Sequence, residues 1–108
     1  MYVDVSSTIL HGPQNMTVFS RSTVNFRCTS DIQTVIYWKY AESATATVTI
    51  FDHHGRNEKV FDARFVNTVN GTTTVLTIRN VQKSDAGSYM CHESHSHSYR
   101  PAQLMVTG

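Results

Sequence analysis

A nine-residue run ending at Cys91, Lys-Ser-Asp-Ala-Gly-Ser-Tyr-Met-Cys, constrains the fold more than any other part of the chain. Asp85 and Gly87 predict a tight corner, because glycine turns without steric cost and an aspartate can bond nearby backbone amides. Tyr89 and Cys91 follow two residues apart, and on a strand this spacing places both on one face. An inward tyrosine and cysteine beside a polar corner indicate a buried disulfide and a phenol that bonds back to the corner.

The remaining cysteine is Cys28, and Trp38, the single tryptophan, follows it by ten residues. Two cysteines could be free thiols in a reducing compartment or a bridge in an oxidising one, and their placement around Trp38 favours the bridge. A bridge would enclose 62 residues. Closing a loop of that size stabilises a fold by about 4 kcal/mol in the chain-entropy model. This is a large share of the ~5–15 kcal/mol that a domain has in total.

The chain resembles the immunoglobulin superfamily, from about residue 8 to residue 107, in five side chains at the expected offsets: Cys28, Trp38, Asp85, Tyr89 and Cys91. The resemblance implies a disulfide between Cys28 and Cys91 and a tyrosine corner at Tyr89. It also implies that Arg64 pairs with Asp85 and closes the bottom of a β-sandwich. The alternative for this last pair is two unrelated solvated charges.

Alternating apolar and polar residues predict strands along most of the chain. We expect an all-β, Greek-key immunoglobulin-like sandwich of about nine antiparallel strands, of the V type or intermediate between V and I, with a C′ strand and a short C″ strand. A flexible lead-in over residues 1–7 should precede a single domain over residues 8–108. The predicted strands are 8–10, 16–20, 23–30 (strand B), 34–40 (C), 46–51 (C′), 58–61 (C″), one opening at Arg64 (D), 73–79 (E), 87–94 (F) and about 102–107 (G), with a turn at 52–57.

Composition excludes several functions. The net charge is +1 and no Lys/Arg cluster is present, which argues against binding to nucleic acid or to an anionic membrane surface. No apolar run approaches the roughly 18 residues of a membrane span, and no secretory signal is present. We therefore expect an extracellular ectodomain of a single-pass cell-surface protein, with its anchor outside this chain, or a secreted protein.

The resemblance implies recognition through the sheet face of strands G, F, C and C′ or through the loops. Alternation places these side chains outward: Tyr37, Lys39, Met90, His92, Gln103 and Met105. One aliphatic or aromatic residue of the 46–51 strand should join them, from either Val48 and Ile50 or Thr49 and Phe51. Apolar side chains inside a polar rim are typical of protein interfaces, although single exposed apolar residues are also normal on any surface.

Histidines are concentrated in two places, His53 and His54 in one turn, and His92, His95 and His97 toward the predicted F–G loop, which also contains Tyr99. Imidazoles at short spacing can bind zinc or copper. In an extended chain, however, His92 falls on the opposite face from the two histidines that follow it. We expect no metal and no cofactor, and interpret the histidines as loop residues that contact a partner with a pH-dependent strength.

Two glycosylation sequons support an extracellular setting, at Asn15 and at Asn70. Asn70 precedes Gly71 in a predicted two-residue hairpin turn, where an enzyme could reach it. This hairpin belongs to the sheet opposite strands G, F, C and C′. A glycan there would cover one sheet and leave the other free.

These patterns predict a recognition module that acts in adhesion or in self/non-self recognition. The expected partner is another immunoglobulin-like domain, of the same protein (a homodimer) or of a different one. Alternatives are a receptor domain for a soluble protein or glycan, and a structural spacer. The last strand lacks a Gly-x-Gly bulge, which argues against the side-by-side pairing of antigen receptors. The chain has no nucleophile elbow, metalloprotease helix or phosphate loop, so we do not expect an enzyme.

Overall fold

A computed structural model describes residues 9–32, 36–43, 45–93 and 99–108; the expected lead-in, residues 1–7, lies outside the described residues. The described residues form ten strands and one short 3-10 helix. In chain order these are β1 (Ile9–His11), β2 (Met16–Phe19), β3 (Val24–Ser30), β4 (Ile36–Ala41), β5 (Thr47–Asp52), β6 (Gly55–Arg56), β7 (Phe65–Asn70), β8 (Thr73–Ile78), the 3-10 helix (Lys83–Asp85), β9 (Gly87–Glu93) and β10 (Tyr99–Thr107).

The strands form two sheets that enclose one hydrophobic core, as the all-β sandwich prediction requires. One sheet has four strands in the order β1-β3-β8-β7, and the other has six in the order β2-β10-β9-β4-β5-β6. One described pair departs from the antiparallel pattern, because β2 runs parallel to β10. The chain leaves the first sheet after β1, breaks at Gly12 and Pro13, and joins the second sheet as β2.

Alternation explains why the central strands face as they do. In β3, Val24, Phe26 and Cys28 are buried, while Asn25 and Arg27 between them are exposed. In β8, Leu76 and Ile78 are fully buried, which confirms the inward positions expected for this strand.

The disulfide between Cys28 and Cys91 joins β3 to β9 and therefore links the two sheets. Trp38 lies fully buried beside this core. Its indole Nε1–H donates a hydrogen bond to Oδ1 of Asn67 on β7, at 3.1 Å. A buried donor without an acceptor would cost about 1–3 kcal/mol, so Asn67 allows the tryptophan to be buried completely.

The lower end of the sandwich is closed by a buried carboxylate, Asp85. Its Oδ2 accepts hydrogen bonds from Nη1 of Arg64 at 2.8 Å and from the backbone N–H of Gln82 at 2.8 Å, and its Oδ1 accepts one from Nη2 of Arg64 at 3.1 Å. The hydrogen bond to Asp85 raises the pKa of Arg64 further above its already high value. The phenol of Tyr89 donates to the carbonyl oxygen of Asp85 at 2.6 Å. Strand β7, the 3-10 helix and β9 are thus held together at one point.

The glycine of the corner is required by a close approach. Gly87 has φ of 143°, and a Cβ built at this position would lie 2.6 Å from the phenol oxygen of Tyr40. Tyr40 donates a hydrogen bond to the carbonyl oxygen of Ala86 at 2.8 Å. Its ring also packs against Tyr89, with centroids 5.1 Å apart. Any larger residue would displace Tyr40 from the corner.

Two predicted boundaries are wrong. Residues 58–60 form a turn rather than a strand, and the short sixth strand lies earlier, within the predicted turn. Asp52 Oδ1 accepts the backbone N–H of His54 at 2.8 Å, which closes a tight turn so that Phe51 pairs with Arg56. Strand β10 begins at Tyr99 rather than at residue 102, because its pairing with β9 continues up to His92.

The phenol of Tyr89 should make stability fall at alkaline pH. Burial raises the pKa of Tyr89, so the folded protein retains this proton at a pH where an unfolded tyrosine, with a pKa of about 10, has lost it. Its contribution to the free energy of unfolding is therefore full below about pH 10 and decreases as the pH rises further. We expect Tyr89→Phe to lose about 1–3 kcal/mol at pH 7 in urea unfolding. The difference from wild type should shrink above about pH 10, and a difference that stays constant contradicts this account.

Candidate binding face

The outer side of the six-stranded sheet carries the residues predicted to bind. Because Trp38 and Cys91 point into the core, their neighbours along β4 and β9 point outward. Strand register then places the outward side chains of β10, β9, β4 and β5 in rows across the sheet. The rows are Tyr99, His92 and Tyr37; Pro101, Met90, Lys39 and Thr49; and Gln103, Ser88, Ala41 and Thr47. We call these residues, together with Met105 below them, the front face.

Strand β5 contributes threonines to the front face, and the expected aliphatic or aromatic residue is absent from it. Val48 packs against the core, and Ile50 and Phe51 are both buried. The reason is an irregularity in register, since Trp38 pairs with Phe51 while the next residue, Lys39, pairs with Thr49. The extra residue, Ile50, lets two successive side chains enter the core.

The upper edge of the front face is lined by aromatic and imidazole rings from three parts of the chain. Tyr37 contacts His92 edge to face, with ring centroids 6.2 Å apart, and stacks with His53 at 6.4 Å. The ring of His54 lies 3.8 Å from that of His53, and Tyr99 is paired with His92 in register. We call these five residues the ring row. Sequence spacing could not predict it, because the His53 turn and His92 are brought together only by strand pairing.

The middle of the front face is a shallow depression of about 240 Å³. It is lined by Lys39, Thr47, Met90, His92 and Tyr99. Small-molecule sites are usually larger, about 300–1,000 Å³. The depression is therefore better suited to one side chain of a protein partner than to a small ligand.

Apolar residues continue along the lower part of the sheet. Met105 is 59% exposed, and Phe19 on β2 is 72% exposed. They are close in the sheet, because Met105 pairs with Thr17 and the adjacent outward residue, Thr107, pairs with Phe19. Sequence reasoning omitted Phe19. In β2, Met16 and Val18 are partly buried and pack against the core, whereas Thr17 and Phe19 are exposed. Alternation along this strand could therefore have placed Phe19 on the outer side of the sheet.

The front face has few fixed charges. Lys39 is the single Lys, Arg, Asp or Glu among its residues. A wider open groove, of about 1,030 Å³, lies beside the β5–β6 hairpin and contains charges of both signs, namely Asp52, Glu58, Arg56 and Lys59. Within this groove, Nη2 of Arg56 lies 3.7 Å from Oε1 of Glu58. This groove therefore has no dominant sign, and the front face is close to neutral when its imidazoles are unprotonated.

The two sequons occupy different places. Asn70 is exposed at the end of β7, on the four-stranded sheet. Asn15 directly precedes β2, and its Oδ1 accepts the backbone N–H of Gln103 at 2.8 Å. Backbone N–H groups of a sheet point within its plane, so the Asn15 side chain that accepts from Gln103 lies beside β10 and not above the front face. A glycan on Asn15 would therefore extend from the edge of the front face and not from its centre.

The predicted loop histidines, His95 and His97, lie outside the described residues, and Tyr99 is part of β10 and not of a loop. Within residues 9–32, 36–43, 45–93 and 99–108, no group of three or more His, Cys, Asp or Glu side chains is placed to hold a metal ion. No helix in the same part of the chain is both long and apolar enough to cross a membrane.

Comparison with known families agrees with this geometry. The immunoglobulin V-set domain matches residues 11–107. The chain belongs to the immunoglobulin V-set family. V-set domains are generally binding modules without enzymatic activity, are typically extracellular, and typically bind other proteins. The V-set assignment also accounts for the β5–β6 hairpin, which is the C′–C″ pair of this family.

Two tyrosines of β4 provide a matched test of which side chains of this strand face outward. Tyr37 lies on the front face, while Tyr40 is bonded to the corner at Ala86. We expect Tyr37→Ala to change the free energy of unfolding by less than ~1 kcal/mol and to weaken binding. Tyr40→Ala should cost about 2 kcal/mol or more, because it removes core packing and a hydrogen bond. Urea unfolding measures both, and a Tyr37→Ala variant that unfolds would contradict the orientation of β4.

Proposed function

We propose that this V-set domain is an extracellular recognition module of a cell-surface protein, and that it binds a second copy of itself through the front face. The observation that carries the proposal is the combination of outward-facing aromatic and methionine side chains, the half-buried Tyr37 and Met90 and the exposed Met105, on a sheet surface with one fixed charge. Aromatic and Met residues are enriched in protein interfaces, whereas charged residues are depleted from their centres.

The geometry of the sheet supports pairing over the whole face. Strands β10 and β9 pair without interruption from Tyr99 to Leu104, and no bulge interrupts the front face there. The six strands contain 34 residues, which at about 3.3 Å per residue and about 4.8 Å per strand cover on the order of 540 Å² in projection. A stable interface buries roughly 600–1,000 Å² of accessible surface on each partner. Pairing would therefore have to use nearly the whole sheet.

Charge also favours a second copy as the partner. In a two-fold symmetric interface the same patch faces itself, so a surface of one strong sign would repel its own copy. With Lys39 as the single fixed charge of the front face and the carboxylate of Asp52 beside its upper edge, the surface carries no such field. A strongly acidic or basic partner would find few opposite charges to pair with.

Sedimentation velocity over a concentration series tests the proposal directly. We expect a concentration-dependent dimer that is unaffected by EDTA, because no described cluster is placed to hold a metal ion. Met90→Glu should abolish the dimer by burying a carboxylate at the centre of the interface. Val75→Glu is the matched control, since Val75 is likewise a partly buried outward residue of a central strand on the opposite sheet and is paired with a cationic residue, Arg27.

A monomer at every concentration would reject self-recognition and leave the receptor or spacer alternatives. A dimer that is disrupted by Val75→Glu and not by Met90→Glu would place the interface on the other sheet. A dimer lost in EDTA would instead indicate metal bridging.

The ring row should make the dimer sensitive to acid. Imidazoles generally gain a proton near pH 6.5, and each one protonated adds a positive charge to both copies of the face. The charged or titratable groups of the row and of the groove beside the β5–β6 hairpin are Lys39 and Tyr37 of β4, Asp52 of β5, His53 and His54 of the turn, Arg56 of β6, Glu58 and Lys59 after it, His92 of β9 and Tyr99 of β10. Of the two carboxylates, Asp52 already accepts the His54 backbone N–H, and Glu58 Oε1 lies 3.7 Å from Nη2 of Arg56.

We therefore expect the dissociation constant of the dimer to increase severalfold between pH 7.5 and 5.5, measured by sedimentation. The double variant His53→Gln, His92→Gln should respond much less. His11→Gln is the control, because His11 is an exposed histidine on β1 of the other sheet. A wild-type dimer with equal affinity at both pH values would exclude the ring row from the interface.

A further inference from the structure

The four-stranded sheet ends in a strand with an open side. Among the strands of the described residues, β7 is last in its sheet and pairs with β8 alone. Arg56 of the other sheet donates a hydrogen bond to the carbonyl oxygen of Phe65, at 3.3 Å, and so covers the beginning of this edge. No other described strand pairs with the remainder of β7, and a strand edge without a neighbour is a template for a strand from another chain.

This edge lacks the usual chemical protection. The 14 residues from Phe65 to Ile78 include no charged residue and no proline. They are rich in valine and threonine, which favour strands. Val69 on the edge is 58% exposed. Segments of high β propensity, low charge and no proline are the ones that aggregate when exposed.

The other described edges differ from β7. Strands β1, β2 and β6 have three, four and two residues, whereas β7 has six. Very short edge strands give a second chain little to pair with. The long uncharged edge is thus found at β7.

Asn70 lies where a modification could cover this edge. It is the last residue of β7, is exposed, and is followed by Gly71 at φ 61° in the tight turn to β8. Thr72 completes an Asn-Gly-Thr sequon. An N-linked glycan is bulky and strongly hydrated, and at this position it would stand at the upper end of the open strand.

We propose that Asn70 carries an N-linked glycan whose role is to cover the β7 edge and prevent strand addition between copies of the chain. The glycan replaces the lysine, proline or bulge that protects edges in other proteins. This proposal does not depend on the front face, since β7 belongs to the opposite sheet.

The experiment uses the full chain secreted from a eukaryotic host, in the Met90→Glu background so that association through the front face does not contribute. Asn70→Gln and Thr72→Ala each remove the same sequon through a different residue. Thr17→Ala, which removes the other sequon and keeps the hydrogen bond between Asn15 and Gln103, is the matched control. Mass spectrometry measures occupancy at both sites, and light scattering with thioflavin T fluorescence measures aggregation at 37 °C.

We expect Asn70 to be occupied and both Asn70-sequon variants to aggregate severalfold faster, with unfolding midpoints unchanged. Thr17→Ala should behave as the parent. Adding Thr68→Lys to Asn70→Gln should slow aggregation again, because Thr68 is exposed on β7 and a lysine there places a charge on the edge. An unoccupied Asn70, equal aggregation in all variants, or no rescue by Thr68→Lys would overturn the proposal.

Discussion

The link between Cys28 and Cys91 is the constraint on which the rest of the structure depends. It joins β3 of one sheet to β9 of the other, beside the fully buried Trp38. Because side chains alternate along a strand, a cysteine fixed inward at position 91 forces Met90 and His92 outward. The same argument applied to Trp38 forces Tyr37 and Lys39 outward on the neighbouring strand. The composition of the front face therefore follows from the residues that hold the core together.

A second constraint acts at the lower end of the sandwich, at the corner formed by Asp85. Asp85 is a buried carboxylate, and burial of an unpaired charge would be strongly unfavourable. It is stable there because Arg64 and the backbone of Gln82 donate to both of its oxygens. Breaking such a pair by removing one partner typically costs more than the pair contributes. Arg64 precedes β7, so the corner also fixes where the strand with the open edge begins.

The sequence predicted the central strands better than the edges. Strands β3, β8 and β9 followed from alternation, since each has one face in the core and one in solvent. The β5–β6 region did not, because Ile50 and Phe51 are both buried at an irregularity that breaks the period of two. Asn67 was also missed, since nothing local indicates that a polar residue of β7 accepts a hydrogen bond from Trp38. The ring row could not be predicted for the same reason, because His53 contacts Tyr37 only when β5 has paired with β4.

The outer surface of the four-stranded sheet differs from the front face in a way that bears on which of them binds. Its polar side chains bond to one another across the strands. Thr29 Oγ1 lies 2.9 Å from Thr73 Oγ1, and Thr77 Oγ1 donates to Asn25 Oδ1 at 2.7 Å. Because these groups already satisfy one another, a partner would gain few new hydrogen bonds there and would bury little apolar area. On the front face, Met90 and Met105 instead offer apolar surface, whose removal from water drives association. Binding a partner is therefore more favourable on the front face than on the outer surface of the four-stranded sheet. A glycan at Asn70 would stand on the four-stranded sheet and leave the front face free.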